Sequence, residues 1–248
     1  MTYLVATDLD GTLLRRDFSV SDRTRRALQE AVGAGVGIVY ATGRPPRWLG
    51  DVYDETGLQP TTICANGALT LQGDELLHVD EISAEVIREV QQILWARHPD
   101  FVMHTEQWQG HTLKLLAALP GADGRHADEV LQEVRALAGH LVEPTHSMRS
   151  RLLIEMSAVG VTKAGALARV RHELWPHTTV IAVGDMPNDE AMLRSADLPM
   201  TVTSGHPWLR GVTERILPGP DQDGVAQLLE RLVAGDDPWP TGGFPPTG

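Results

Sequence analysis

The tightest constraint on this chain lies near its start. Tyr3-Leu4-Val5-Ala6-Thr7 is a short apolar run of strand character that ends in two carboxylates one residue apart, Asp8 and Asp10, followed by Gly11-Thr12. This is a strand delivering acid groups into a tight loop. In parallel α/β sheets ligands sit just outside the carboxyl ends of the strands, so Asp8 and Asp10 fall where chemistry is usually done.

The sequence that follows builds such a sheet. Ser19 and Ser21 are cap candidates for a helix reaching about Ala34, with Ala27, Leu28, Ala31 and Val32 at helical spacing and Gly33 and Gly35 as stops. Val36 to Ala41 reads as a second buried strand, ending in Thr42-Gly43-Arg44 with Pro45 and Pro46 suited to a first helical turn. Strand, helix and strand make a βαβ unit with a right-handed crossover, so Thr42 emerges on the same edge as Asp8. A third strand, Thr62 to Ala65, leads through Asn66-Gly67 into a hairpin turning near Gly73-Asp74.

From about Ser83 the pattern changes to αββαββ: helices around Val86–Leu94 and Val130–Leu137, strands at 101–105, 113–118, near Leu141 and at 152–156. Alternation then resumes with a helix from Thr162 to Leu174, a strand at Val180–Val183, a helix at Asp189–Ser195, a strand at Leu198–Val202 and a last helix over about 224–233. The expected organisation is a Rossmann-like parallel α/β core formed by residues 1–81 and 159–235, with an inserted α+β domain at 82–158. The segment 236–248, rich in Pro and Gly, is expected to be a mobile tail.

Composition narrows the partners. The 248 residues carry a formal charge of −12, which argues against nucleic acid or an anionic membrane as the main partner. A small anionic substrate then needs local positive charge, from a few basic residues or a divalent cation held by acids. Cys64 is the single cysteine, so no internal disulfide forms; a buried strand position suits it, and a reducing compartment fits. No stretch approaches the roughly 20 apolar residues of a membrane span and no leader pattern opens the chain, so a cytoplasmic, soluble protein is expected.

Polar residues at four strand ends or helix starts would converge: Asp8 and Asp10, Thr42, Lys163, and Gly184-Asp185-Met186-Pro187-Asn188-Asp189. Several carboxylates at one sheet edge repel one another unless a cation binds them, and hard oxygen donors with room for water suit Mg²⁺. The series Asp-x-Asp-Gly-Thr, strand-Thr-Gly-Arg, Lys and Gly-Asp-x-x-x-Asp, in this order, resembles the haloacid dehalogenase superfamily, whose commonest members are phosphatases. The inserted block, Asn66-Gly67-Ala68, Thr162-Lys163-Ala164-Gly165-Ala166-Leu167 and Gly184 to Leu193 resemble its Cof-like, or type IIB, capped subgroup.

The resemblance implies a HAD-type core under a cap, and a role for each motif residue. Asp8 would be the nucleophile forming an aspartyl-phosphate, and Asp10 the acid on the leaving oxygen and then the base for water. Thr42 and the backbone N–H groups at Leu9, Asp10 and Gly43 would hold phosphate oxygens, with Asn188 nearby, while Lys163 stabilises negative charge. Mg²⁺ would be bound by Asp185, by Asp8 and by the carbonyl of Asp10, with Asp189 behind them as an orienting group. A dehalogenase has no leaving alkoxide to protonate, so Asp10 favours phosphoryl transfer.

The implied activity is hydrolysis of a small phosphorylated metabolite. Relatives handle sugar phosphates, a flavin precursor phosphate, pyridoxal phosphate and phosphoglycosyl acids. Two alternatives share these residues: a phosphotransferase or phosphomutase, as in the phosphomannomutases, and a non-catalytic phospholigand-binding regulator. Within the insert, His104, Trp108, His111, Lys114, Arg149 and Arg151 are candidates to read the leaving group. The ten histidines have no zinc-type spacing and are read as scattered, solvent-facing residues.

Overall fold

A computed structural model describes residues 2–120, 126–148 and 152–244. Its larger sheet has eight strands in the order β12-β11-β10-β1-β2-β3-β4-β5. These are β1 (Tyr3–Thr7), β2 (Gly37–Ala41), β3 (Thr61–Cys64), β4 (Leu69–Gln72), β5 (Glu75–Val79), β10 (Thr179–Gly184), β11 (Leu198–Val202) and β12 (Ile216–Leu217). From β12 to β3 neighbours are parallel, and the hairpin β4–β5 adds two antiparallel strands at one edge.

Both faces of the parallel part are covered, which is why β1 and β2 read as unbroken apolar runs. On one face Val5, Ile38, Tyr40, Ile181 and Val183 pack against α1 (Asp22–Gly33), α2 (Gly50–Thr56) and α7 (Gly224–Ala234). On the other Leu4, Ala6, Val39, Val180 and Ala182 pack against α5 (Lys163–Leu174) and α6 (Glu190–Ser195). The period-2 split of Leu4 and Ala6 from Val5 is the strand pleat expressed as two cores. Ser21 caps α1 by accepting from the amide of Thr24, whereas Ser19 bonds the carboxylate of Asp17 instead.

Between β5 and α5 the chain forms a second unit in αββαββ order: α3 (Ala84–Arg97), β6 (Val102–Trp108), β7 (His111–Ala118), α4 (Ala127–Ala138), β8 (Val142–Thr145) and β9 (Leu153–Ala158). Its antiparallel sheet runs β6-β7-β9-β8. Leu115, Ala117, Ile154 and Met156 face the helices and pack on Val90, Leu94, Val130, Leu131 and Val134. Residues of opposite parity, Lys114 on β7 and Glu155 on β9, with Glu106 registered across from Lys114, occupy the reverse face and meet the loops of the larger sheet. There Glu106 accepts both guanidinium branches of Arg47.

Three features differ from the sequence expectations. Residues 236–244 do not stand clear of the fold: the rings of Trp239 and Phe244, 5.6 Å apart, pack against the larger core, because two aromatics supply the apolar area that periodicity does not reveal. The two-residue strand β12 lacks the length for a sequence signal. The histidines are not uniformly solvent-facing, since His98, His146 and His206 are buried. Among the described residues no helix is long and apolar enough to cross a membrane.

Candidate active site

The register of β1 assembles the site. Thr7 pairs with Val183 on one side and Tyr40 on the other, so Asp8 leaves the sheet beside Gly184-Asp185 and Ala41-Thr42. Its amide donates to the carbonyl of Val183 at 2.9 Å, which extends the ladder by one step and stiffens the exit. Lys163 opens α5, whose N-terminus is fixed by Thr162 accepting from the amide of Gly165. Its side chain is 0 % exposed, and Nζ donates to Asp8 Oδ1 at 2.7 Å and to Asp189 Oδ1 at 2.6 Å.

Asp189 is fully committed. While Oδ1 takes Lys163, Oδ2 accepts the amides of Asp185 at 2.9 Å and Met186 at 3.0 Å, so this side chain holds the loop after β10 in shape. Asp185 accepts the hydroxyl of Thr12 at 3.1 Å, tying that loop to the one after β1. Burial is the main force lifting the Asp8 carboxyl well above its ordinary range; Lys163 pulls it down, and the acids Asp189, Asp185 and Asp10 push it up again. Burial, and then Asp189, pushes Asp185 up to about 7. For Lys163 burial opposes the charge, but Asp189 and Asp8 outweigh it and hold the ammonium above its ordinary value.

This crowding defines what the site accepts. Asp8, Asp185 and Asp189 are all buried and offer carboxylate oxygens within 4.8 Å of one another, with Lys163 the one cation hydrogen-bonded to them among the described residues. Hard oxygen donors held together against their repulsion fit a small divalent cation such as Mg²⁺. Close approach is secured by Gly11, which sits at φ +82° with its α-carbon against Asp185; a Cβ there would lie 2.6 Å from Oδ2. Gly11→Ala is therefore expected to lower the free energy of urea unfolding by about 1–2 kcal/mol from the left-handed backbone alone, with the clash added. An unchanged unfolding midpoint would contradict this geometry.

The opposite rim comes from the loop after β2. The hydroxyl oxygen of buried Thr42 accepts the amide of Arg44 at 3.0 Å, leaving its proton for another acceptor. Arg44 grips Asp10 with two bonds, Nε to Oδ2 at 2.7 Å and Nη2 to Oδ1 at 2.5 Å. Leu9 buries its side chain in the core, and its carbonyl accepts the amides of Thr12, Leu13 and Leu14, so any part it plays is through its backbone. The carbonyl of Gly43 accepts Lys114 Nζ at 2.8 Å.

Asn188 belongs to a separate set. Its Nδ2 donates to Asn66 Oδ1 at 3.1 Å, and Asn66 Nδ2 donates to Glu155 Oε2, also at 3.1 Å. Glu155 further accepts Lys114 Nζ at 2.5 Å and the hydroxyl of Ser147 at 2.5 Å. Asn66 and Gly67 are wedged in place: the amide of Asn66 donates to the carbonyl of Thr42, and a Cβ on Gly67, at φ +107°, would fall 2.2 Å from the carbonyl oxygen of Thr162.

The structure thus joins Asp8, Asp185, Asp189 and Lys163 directly, pairs Asp10 with Arg44, and links Asn188 to the inserted sheet. The site partners Arg44, Thr12, Asn66 and Glu155 received no role from the sequence. Glu155 did leave a signal, a lone charge inside the apolar run Leu152 to Met156. Among the insert's candidate readers, Lys114 reaches the site. His104 is exposed, and Trp108 stacks on His111, which bonds Glu81. Arg149 and Arg151 lie outside the described residues. The buried pair His146 and His206 share the carboxylate of Asp128, at 2.8 and 3.2 Å. His206 Nδ1 accepts the amide of Trp208, and its Nε2 faces Asp128 Oδ2 at 3.2 Å.

Comparison with known proteins agrees with this architecture. The protein 5-amino-6-(5-phospho-D-ribitylamino)uracil phosphatase YcsE of Bacillus subtilis is 31% identical over 243 residues, covering 93% of this chain and 95% of that protein. Among solved structures, SMU.1108c from Streptococcus mutans UA159 superposes with a TM-score of 0.81 at 18% identity, covering 94% of this chain and 100% of the other. The HAD subclass IIB sugar phosphatase BT4131 does so with a TM-score of 0.76 at 17% identity, covering 94% and 99%. A family model described as haloacid dehalogenase-like hydrolase matches residues 5–114 and 105–229, and with it the chain is assigned: it belongs to the haloacid dehalogenase-like hydrolase family.

Proposed function

We propose that this hydrolase is a Mg²⁺-dependent phosphatase that cleaves a small phosphomonoester through an aspartyl-phosphate on Asp8. The observation that carries the reading is the buried contact of Asp8 with Lys163, held from behind by Asp189 and flanked by Asp185 at the end of a parallel strand. The name of the Bacillus subtilis relative, a phosphatase of a ribityl phosphomonoester, and the sugar-phosphatase activity named for the BT4131 neighbour support the substrate class.

In this reading a carboxylate oxygen of Asp8 attacks phosphorus, and the bond from phosphorus to the ester oxygen breaks. Asp10, once released from the Arg44 fork that engages both its oxygens, gives its proton to the departing oxygen and then takes one from the water that opens the acyl phosphate. Lys163, its charge secured by Asp189 and Asp8, meets the negative charge that spreads over the phosphoryl oxygens. The Thr42 hydroxyl and the backbone amides at Leu9, Asp10 and Gly43 orient those oxygens. Asp185, a carboxylate oxygen of Asp8 and the carbonyl of Asp10 would hold Mg²⁺, which when bound supplies charge neutralisation at the phosphoryl group. Asp189, with both oxygens already engaged, orients rather than ligates. The inserted αββαββ unit acts as a cap whose reverse face limits water and selects what enters.

Hydrolysis of p-nitrophenyl phosphate with and without Mg²⁺ tests the proposal. Stoichiometric inorganic phosphate is expected, with a loss of about 100-fold or more in EDTA that added Mg²⁺ reverses. Full turnover in EDTA would remove the metal from the reading, and phosphate passed to an added sugar instead of water would make the enzyme a phosphotransferase.

A further inference from the structure

Lys114 is a buried lysine that crosses between the two units. It stands on β7 of the inserted sheet, and its Nζ donates to Glu155 Oε2 at 2.5 Å and to the carbonyl of Gly43, in the loop after β2, at 2.8 Å. Glu155 supplies the counter-charge: burial opposes its ionisation, but Lys114 and then Ser147 outweigh that and hold its carboxyl below the ordinary range. Glu155 Oε2 also takes Asn66 Nδ2, and Oε1 takes the hydroxyl of Ser147, so the carboxylate, and with it the ammonium, has one place to sit.

The contact with Gly43 has a direction. An ammonium only donates and a carbonyl only accepts. The peptide from Gly43 to Arg44 is planar and trans, so a carbonyl turned to Lys114 points the Arg44 N–H the opposite way. That N–H donates to Thr42 Oγ1 at 3.0 Å, and a hydroxyl oxygen that accepts keeps its proton for another acceptor. The peptide before it is held from the core, where the carbonyl of Thr42 accepts the amide of Asn66 at 3.0 Å. Of the two peptides that shape this loop, one is thus fixed by the core and the other by the inserted unit. Every bond from Lys114 to Thr42 donates in the same sense, and a charge at the head of such a series polarises the bonds that follow. The register of β1 and β2 sets its far end, the Thr42 hydroxyl, beside Asp8.

We propose that Lys114, reaching from the inserted unit, is a positioning residue for the phosphoryl group: through the Gly43–Arg44 peptide it aims the hydroxyl proton of Thr42, so that the grip on phosphate is complete only while the inserted unit is docked. Lys114 then serves the part common to all phosphomonoesters and reads no leaving group. The assignment rests on the phosphatase reading above.

Its test is a double-mutant cycle against Thr42→Val, which removes the hydroxyl and keeps the branching. Lys114→Met alone would strand the charge of Glu155, so the pair is removed together as Lys114→Met/Glu155→Gln, in which the glutamine retains an oxygen for Asn66 Nδ2. With Mg²⁺ present, kcat/KM is read for p-nitrophenyl phosphate and pentyl phosphate, and the affinity for inorganic phosphate by calorimetry. With Thr42 in place, the paired change is expected to lower kcat/KM by about tenfold or more for both esters alike, and to weaken inorganic phosphate by a similar factor, since a misaimed donor loses a hydrogen bond to a charged group. On the Thr42→Val background the same change should cost about twofold or less, because the group it aims is gone. Should the paired variant not fold, Lys114→Arg runs the same cycle with the ion pair kept, its longer fork shifting the carbonyl of Gly43.

Equal losses on the two backgrounds would make Lys114 a clasp between the units and overturn the proposal, and so would no loss on either. A loss confined to one ester would overturn it too, by making Lys114 a reader of the leaving group. No phosphate from either ester with the parent protein would overturn the phosphatase reading itself, and the calorimetric cycle with inorganic phosphate would still decide whether Lys114 acts through Thr42.

Discussion

Asp8→Asn is expected to abolish phosphate release, by about 10⁴-fold or more in kcat, while the protein folds at least as well as the parent. The two halves of this expectation have one cause. Asp8 is buried beside Asp185 and Asp189, and burial together with these acids lifts its carboxyl well above the ordinary range. A group whose folded value is raised contributes stability only while it is protonated; that contribution is lost as pH rises from the ordinary carboxylate range through the raised value. An ionised Asp8 is therefore held at a cost, and Asn removes the charge while keeping an oxygen for Lys163 Nζ, now 2.7 Å from Oδ1. An amide cannot form the acyl phosphate, so chemistry stops. Phosphate release and urea unfolding measure the two halves separately. Substantial turnover in a folded Asp8→Asn protein would remove Asp8 as the nucleophile.

Much of the site's geometry was legible because it follows from strand register. Once β1, β2 and β10 are read as adjacent parallel strands, Asp8, Thr42 and Asp185 must emerge on one edge, since each directly follows or lies within a residue of the end of its apolar run. Lys163 was legible only through its place in the motif series. Nothing local to a helix start tells a buried lysine from a surface one, and its 0 % exposure comes from the packing of α5 under the loops. The partners of Asp10 and Asn188 were not legible at all. Whether Arg44 turns to Asp10, or Asn188 to Asn66, depends on how two loops and the inserted sheet meet, and that meeting involves Lys114 and Glu155 on strands distant in sequence. The buried histidines escaped for the same reason: Asp128, His146 and His206 share no period, and only the docking of the inserted unit beside the loop after β11 brings them together.

Lys163→Met should be the most damaging single change to stability in this site. Its ammonium is the cation that both Asp8 and Asp189 contact, at 2.7 and 2.6 Å, in a place where all three side chains are buried. Removing one partner of a buried ion pair leaves charge without compensation, and a loss of about 3–5 kcal/mol in unfolding free energy is expected. Turnover should fall by about 10³-fold, because the same charge meets the phosphoryl oxygens. Two origins of the instability can be told apart. If the cost is uncompensated charge, then Lys163→Met/Asp189→Asn should recover much of it: the asparagine retains an oxygen for the amides of Asp185 and Met186, which Asp189 Oδ2 accepts at 2.9 and 3.0 Å, and one buried acid is gone. Activity should stay lost, since neither substitution returns a cation to the phosphoryl site. If the double variant is no more stable than Lys163→Met alone, the cost lies in the packing of the missing side chain, and the account of Asp189 as the counter-charge that holds Lys163 beside Asp8 fails.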